Sequence, residues 1–166
     1  MASEQDTPSQ WLEGLPYRIW RANQAVHRQV VDAIAGLGVT VTQLGIAVHL
    51  DELGHLSASD LARLFGLTPQ SVTTALNRLE SLGWVSRLPH PVHRRVIWYE
   101  LTPAGLAGID EGRRRVAEVN DRVVAAVGAD AESFDATLGA IVERFGDARP
   151  AGTMWPVPTG SRGSGA

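Results

Sequence analysis

Between residues 56 and 101 the apolar pattern runs at helical spacing, breaks, runs again, and then changes to the two-residue alternation of strands. Leu61, Leu64 and Phe65 predict a short helix with one inward face. Ser57 opens it, with Asp60 three residues on: a hydroxyl there accepts from orphan amides, and an acid in the first turn suits the helix dipole. Gly66 is placed to end it. Thr68-Pro69 then starts a second helix, Thr68 as N-cap and Pro69 at the first position, where its missing amide costs nothing. Val72, Leu76, Leu79 and Leu82 face inward along it, which leaves Gln70, Ser71, Thr73, Thr74, Asn77 and Arg78 on the opposite face. Gly83 closes that helix. Trp84 to Leu88 predicts one strand and Arg95 to Leu101 another. Alternation would bury Ile97, Tyr99 and Leu101 and expose Val96, Trp98 and Glu100. The connecting PHPVHR holds two prolines, which suit a loop and argue against a ladder position there.

The flanks read as longer helices. Residues 17–35 carry Ile19, Trp20, Val26, His27, Val30, Val31 and Ile34 in more than one narrow stripe, so this helix should be buried on two sides. Pro16 marks its start, with Trp11 and Leu12 in a preceding turn or arm, and Gly36 and Gly38 end it. Thr40 with Gln43 predicts a capping box for a helix through Leu53. Thr102-Pro103 opens a long helix to about Val127, with Arg113, Arg114 and Arg115 on its exposed side. Ser133 to Phe145 reads as a last amphipathic helix. In a lone chain the first and last helices would keep uncovered apolar faces. A two-fold partner covers them, and a compact monomer that folds them on itself is the other solution. From Asp147 the chain turns rich in Pro, Gly and Ser and is expected to be disordered, Met154-Trp155-Pro156 included.

The expected fold is therefore mainly α with a small β-hairpin wing: a winged helix-turn-helix over 39–102, flanked by helices over 16–38 and 103–146. All of 16–146 forms one domain, with an arm over 1–15 and a tail over 147–166. Such a layout lays one helix in the DNA major groove with the wing beside it. The chemistry of the polar face fits. Asn and Gln can pair bidentately with adenine, Ser and Thr serve as donor or acceptor, and short side chains let the backbone approach the groove floor. Arg78 is placed to reach a phosphate. Arg94 and Arg95 follow the wing loop, where a guanidinium can enter a narrow minor groove. An ordinary solvated helix face and hairpin would carry similar residues, so the argument rests on the combination.

At LTPQSVTTALNRLE, GWVSR, HRR and LTPAG the chain resembles MarR-type transcriptional regulators, with closest general similarity to the SlyA-like members, over roughly residues 10–146. The resemblance implies a homodimer whose first and last helices interlock, bound to a pseudo-palindromic duplex. It also implies a repressor released by a small aromatic or phenolic effector. It places the DNA contacts on Thr68, Gln70, Ser71, Thr73, Thr74, Asn77, Arg78 and one or both of Arg94 and Arg95. An effector would lie in a mostly apolar pocket where the dimer helices meet the DNA-binding lobe. Trp20, His27 and His49 are candidates, with core packing for Trp20 and a hydrogen-bonded or solvated imidazole for each histidine as the plainer alternative. The wing departs from the family pattern: His93 stands where an acid usually precedes the paired arginines, and His90 replaces an earlier acid. An acid would orient an arginine by a charge-assisted bond. Imidazoles instead make the wing sensitive to pH, or are simply solvated.

Net charge of −3 argues against a nucleic-acid partner until it is resolved by region. Residues 55–95 hold five arginines against Asp60 and Glu80, a balance of +3, so the rest carries −6. A basic module on an acidic body orients a protein on DNA while limiting non-specific binding. Zero cysteine excludes disulfides, thiolate metal sites and the cysteine-based sensors of the family. No metal or other cofactor is expected, since His27 and His49 lack further ligands at defined spacing. No apolar run of membrane-spanning length and no signal-peptide order occur, so a cytoplasmic location is expected. Glycine-rich phosphate loops, GxSxG and HExxH are absent, so no enzyme is expected. The other reading is a winged-helix module that binds protein partners without specific DNA binding.

Overall fold

The computed structural model describes residues 14–93 and 95–146. Most of the N-terminal arm, Arg94 and the tail from Asp147 lie outside the described residues. Six helices run in chain order: α1 (Leu15–Ile34), α2 (Val41–Leu53), α3 (Ala58–Phe65), α4 (Pro69–Ser81), α5 (Pro103–Val127) and α6 (Ala131–Phe145). Three strands, β1 (Leu56–Ser57), β2 (Val85–Pro89) and β3 (Ile97–Leu101), form an antiparallel sheet in the order β1-β3-β2.

The capping chemistry sets most boundaries. Thr40 and Gln43 make a reciprocal capping box at α2, and Ser57 and Asp60 make another at α3. The Ser57 hydroxyl and amide both donate to Asp60, and that hydrogen bonding holds the Asp60 carboxyl below its usual range. Gly66 ends α3 in the left-handed region at φ +63°, a conformation that a Cβ would strain.

The core gathers around α2. Val41 and the run Leu44 to Leu50 are buried, so this helix is covered on all sides, as its unbroken apolar run requires. Ile34 of α1, Leu61 and Phe65 of α3, Leu76 of α4 and Ile109 of α5 close over it. The end of α2 carries Asp51 and Glu52, against its own dipole. Arg113 of α5 answers them: Nη1 and Nη2 both donate to Asp51 Oδ2 at 3.1 Å, and Glu52 and Asp110 lie within 4 Å.

Three expectations change. Arg113 is only 17% exposed, because α5 turns it toward α2; of the arginine triplet, Arg114 is the one that faces solvent. Arg114 and Arg115 instead grip Glu111, holding its carboxyl at about 2. Ile97 is exposed while Tyr99 is buried, since the hairpin projects past the helical layer before its tip. Pro89 does hold a ladder position, opposite Ile97. It is tolerated there because β2 is an edge strand and ends at that residue. The two-residue β1, which pairs Leu56 with Tyr99 and Ser57 with Trp98, is an addition to the expected hairpin.

In α1 only Val30 and Ile34 are buried, so one face of this helix meets the protomer's own core and the other stays open. Among the described residues no single helix is long and apolar enough to cross a membrane.

Candidate nucleic-acid interface

The presenting element is α4. Thr68 Oγ1 accepts from the Ser71 amide at 3.1 Å, Pro69 occupies the first turn, and Val72, Ala75, Leu76 and Leu79 anchor the inner face. Gln70, Ser71, Thr73, Thr74, Asn77 and Arg78 are all exposed on the other side. The hydroxyls are already partly committed. Thr73 Oγ1 donates to the Pro69 carbonyl at 2.8 Å and Thr74 Oγ1 to the Gln70 carbonyl at 3.0 Å. Each therefore offers lone pairs and a methyl group outward and no longer a donor. Ser71 shares a hydrogen bond with Thr68 across the cap.

Two members of the face are held by the rest of the fold. Arg78 Nη2 donates to the Gly38 carbonyl at 3.2 Å, so its guanidinium leans on the turn before α2, and only its remaining N–H groups are left for a phosphate. Asn77 Oδ1 accepts from Arg87 Nη2 of β2 at 2.8 Å. The same Arg87 nitrogen pairs with Glu80 at 2.8 Å, and its guanidinium carbon stands 5.8 Å from the Tyr99 ring centroid. Sequence reading counted Arg87 only as charge. The signal was available in the alternation: Arg87 shares the face of β2 with buried Val85, and a charge at an inward-phase position needs a partner.

Beside α4, Arg95 is exposed where the wing loop returns to β3. The loop is ordered by an imidazole. His90 Nδ1 accepts from the amides of Val92 at 3.1 Å and His93 at 2.9 Å, the job an aspartate oxygen does in an Asx turn. The His90 ring lies 4.3 Å from that of Trp98, whose other neighbour His55 stacks on it at 5.6 Å and donates to Glu100. Trp98 is thus half-buried under two imidazoles instead of exposed, which strict alternation did not anticipate. His90→Ala is expected to speed hydrogen exchange at the Val92 and His93 amides by about tenfold, the loss of one net hydrogen bond. His90→Asp restores the acceptor and the slow exchange. Equal rates in all three proteins would remove the imidazole from the loop's support.

The effector candidates are not brought together. Trp20 and His27 are exposed on α1, Trp20 stacked on Tyr17 at 5.9 Å. His49 is buried in α2, its Nδ1 hydrogen-bonded to the Gly45 carbonyl and its ring edge-on to Phe65 at 4.8 Å. A concavity of about 710 Å³ opens between α1 and α5, lined by Ala33, Arg114, Arg115, Glu118, Asp121 and Arg122. Five of its six lining residues are charged, and none of the three candidates lines it. Among the described residues no group of three or more His, Asp or Glu side chains is placed to hold a metal.

Comparison with known proteins gives the same module. Residues 37–96 match the model of the MarR family. A transcriptional repressor of the helix-turn-helix type from Mycobacterium tuberculosis, Rv2887, is 30% identical over 111 residues, 67% of this chain and 80% of that protein. The multiple antibiotic resistance protein MarR of Salmonella typhimurium is 28% identical over 97 residues, 58% of this chain and 67% of the relative. Among solved structures, the transcriptional repressor CouR bound to a 23-mer DNA duplex superposes with a TM-score of 0.73 at 24% identity, covering 86% of this chain and all of that one. At that identity the likeness establishes the fold. These matches reach the family and do not single out its SlyA-like members.

Proposed function

The chain belongs to the MarR family, and from that premise we propose that it is a sequence-specific, double-stranded DNA-binding transcriptional regulator acting as a homodimer in the cytoplasm. One observation carries the reading: α4 buries four apolar residues on one side and exposes an unbroken polar face, Gln70 to Arg78, on the other, next to a hairpin that ends in arginine. CouR and a variant of MarR from Escherichia coli share the fold and were solved on DNA, the latter on operator DNA. In this reading Gln70, Ser71, Thr73, Thr74 and Asn77 meet base edges. Thr68 and Arg78 position the helix, and Arg95, with Arg94, reaches the adjacent minor groove. The domain spans 16–146, with 39–102 on DNA and the flanking helices in the dimer.

The names of relatives as repressors favour repression. Release by a small effector is the finer part of the proposal. It requires differential affinity for two spacings of the paired α4 helices, and Trp20 and His27 are the candidates that remain accessible. Selection of duplexes from a random pool at moderate salt tests the core of the reading. An inverted repeat with half-sites about 34 Å apart is expected for a dimer of this geometry. Weak binding without enrichment, lost as salt rises, would favour a protein-interaction module instead.

A further inference from the structure

Arg87 of β2 sits beside the proposed reading face and is hydrogen-bonded to Asn77 on it. The Arg87 side chain is fixed from three directions. Glu80 Oε2 forms an ion pair with Nη2 at 2.8 Å, the Tyr99 ring lies under the guanidinium at 5.8 Å, and Asn77 Oδ1 accepts from the same Nη2 at 2.8 Å. Glu80 and Asn77 are one turn apart on α4, so the single nitrogen Nη2 reaches both at once.

The consequence is chemical. An unconstrained asparagine reads adenine with two groups, its oxygen accepting from the base amino group and its nitrogen donating to N7. In this protein the oxygen is already engaged, and the amide is rotated so that Oδ1 points to β2. What remains toward a base is Nδ2, a donor only. Donors suit the paired acceptors O6 and N7 of guanine.

We propose that Arg87 is a specificity-determining residue that acts through Asn77: by occupying Oδ1 it makes Asn77 a donor-only reader that selects guanine over adenine at one position of each half-site. This rests on the DNA-binding reading above.

The test is parallel duplex selection with the full-length protein, Arg87→Ala, Arg87→Met and Asn77→Ala. The unsubstituted protein is expected to recover an inverted repeat with a guanine that Asn77→Ala makes indifferent. Arg87→Ala frees Oδ1 and shifts that one position toward adenine by about tenfold in the guanine-to-adenine ratio, with the rest of the repeat unchanged. Arg87→Met keeps the apolar stem over Tyr99 and removes only the donors, so it decides the matter if Arg87→Ala fails to fold. A repeat whose guanine persists in Arg87→Met overturns this inference and leaves the DNA reading standing. So does a repeat that Asn77→Ala leaves unchanged. No repeat from the unsubstituted protein overturns both.

Discussion

Gly105→Ala is expected to destabilise the chain by about 3 kcal/mol, although glycine to alanine inside a helix ordinarily stabilises by about 1 kcal/mol. The reason is the seam between the hairpin and α5. A Cβ at Gly105 would stand 2.8 Å from Leu101 Cδ2 and 3.0 Å from the Trp84 carbonyl carbon, and closer still to the Trp84 oxygen. That oxygen cannot swing away freely, because it accepts from the Thr102 amide at 3.0 Å and from the Thr102 hydroxyl. Thr102 in turn caps α5 through the Gly105 amide. Overpacking against backbone sits at the costly end of its range, about 3 kcal/mol, and a strained hydrogen bond adds about 1 kcal/mol, so the helix gain is outweighed. The melting temperature should fall by roughly 6–12 °C for a chain of this size. An unchanged or raised value would mean that the seam is loose. Gly108 extends the seam, since a Cβ there would lie 2.6 Å from Trp84 Cε2. The hairpin and the start of α5 are therefore packed without slack, and this contact helps fix the angle between α4 and α5.

Much of this was legible in the chain because its signals are local. Caps, prolines and glycines lie within four residues of the boundary they set, so α2 begins after Thr40, α4 after Thr68 and α5 after Thr102, as expected. The exposure of the polar face of α4 followed from period alone. Contacts between elements were not legible. Arg113 looks solvent-facing until α2 brings Asp51 to it from 62 residues away. The strand β1 has two residues, too few for any alternation to show. On the candidate interface, the sequence names donors and acceptors but not which are spent. The back-bonds of Thr73 and Thr74, the lean of Arg78 on Gly38 and the Arg87–Asn77 bond all subtract from the inventory.

Substituting Leu138→Asp together with Val142→Asp is expected to convert the protein to a folded monomer and to weaken binding to the selected duplex by about two orders of magnitude. No residue of α6 is buried in the protomer. Phe134, Leu138, Val142 and Phe145 recur at intervals of four and three residues along its length, and Phe145 is 80% exposed. On α1, Leu15, Ile19 and Trp20 are likewise uncovered, Trp20 at 55%. Scattered apolar residues on a surface need no explanation, but two helices at the chain's ends that each expose an apolar stripe call for a cover. In the proposed homodimer a two-fold copy would supply it with the same two stripes. Carboxylates placed in that seam would have to be desolvated without partners, which costs more than the apolar contact contributes. The protomer's own core, centred on α2, does not include these positions, so circular dichroism should keep its helical signal. The effect on DNA follows from linkage. One chain holds one recognition helix, and without a joined partner the second half-site is no longer bound at high effective concentration. Sedimentation analysis reads the first outcome and duplex titration the second. A variant that stays dimeric would place the dimer seam elsewhere, and an unsubstituted protein that sediments as a monomer would mean that these helices cover themselves.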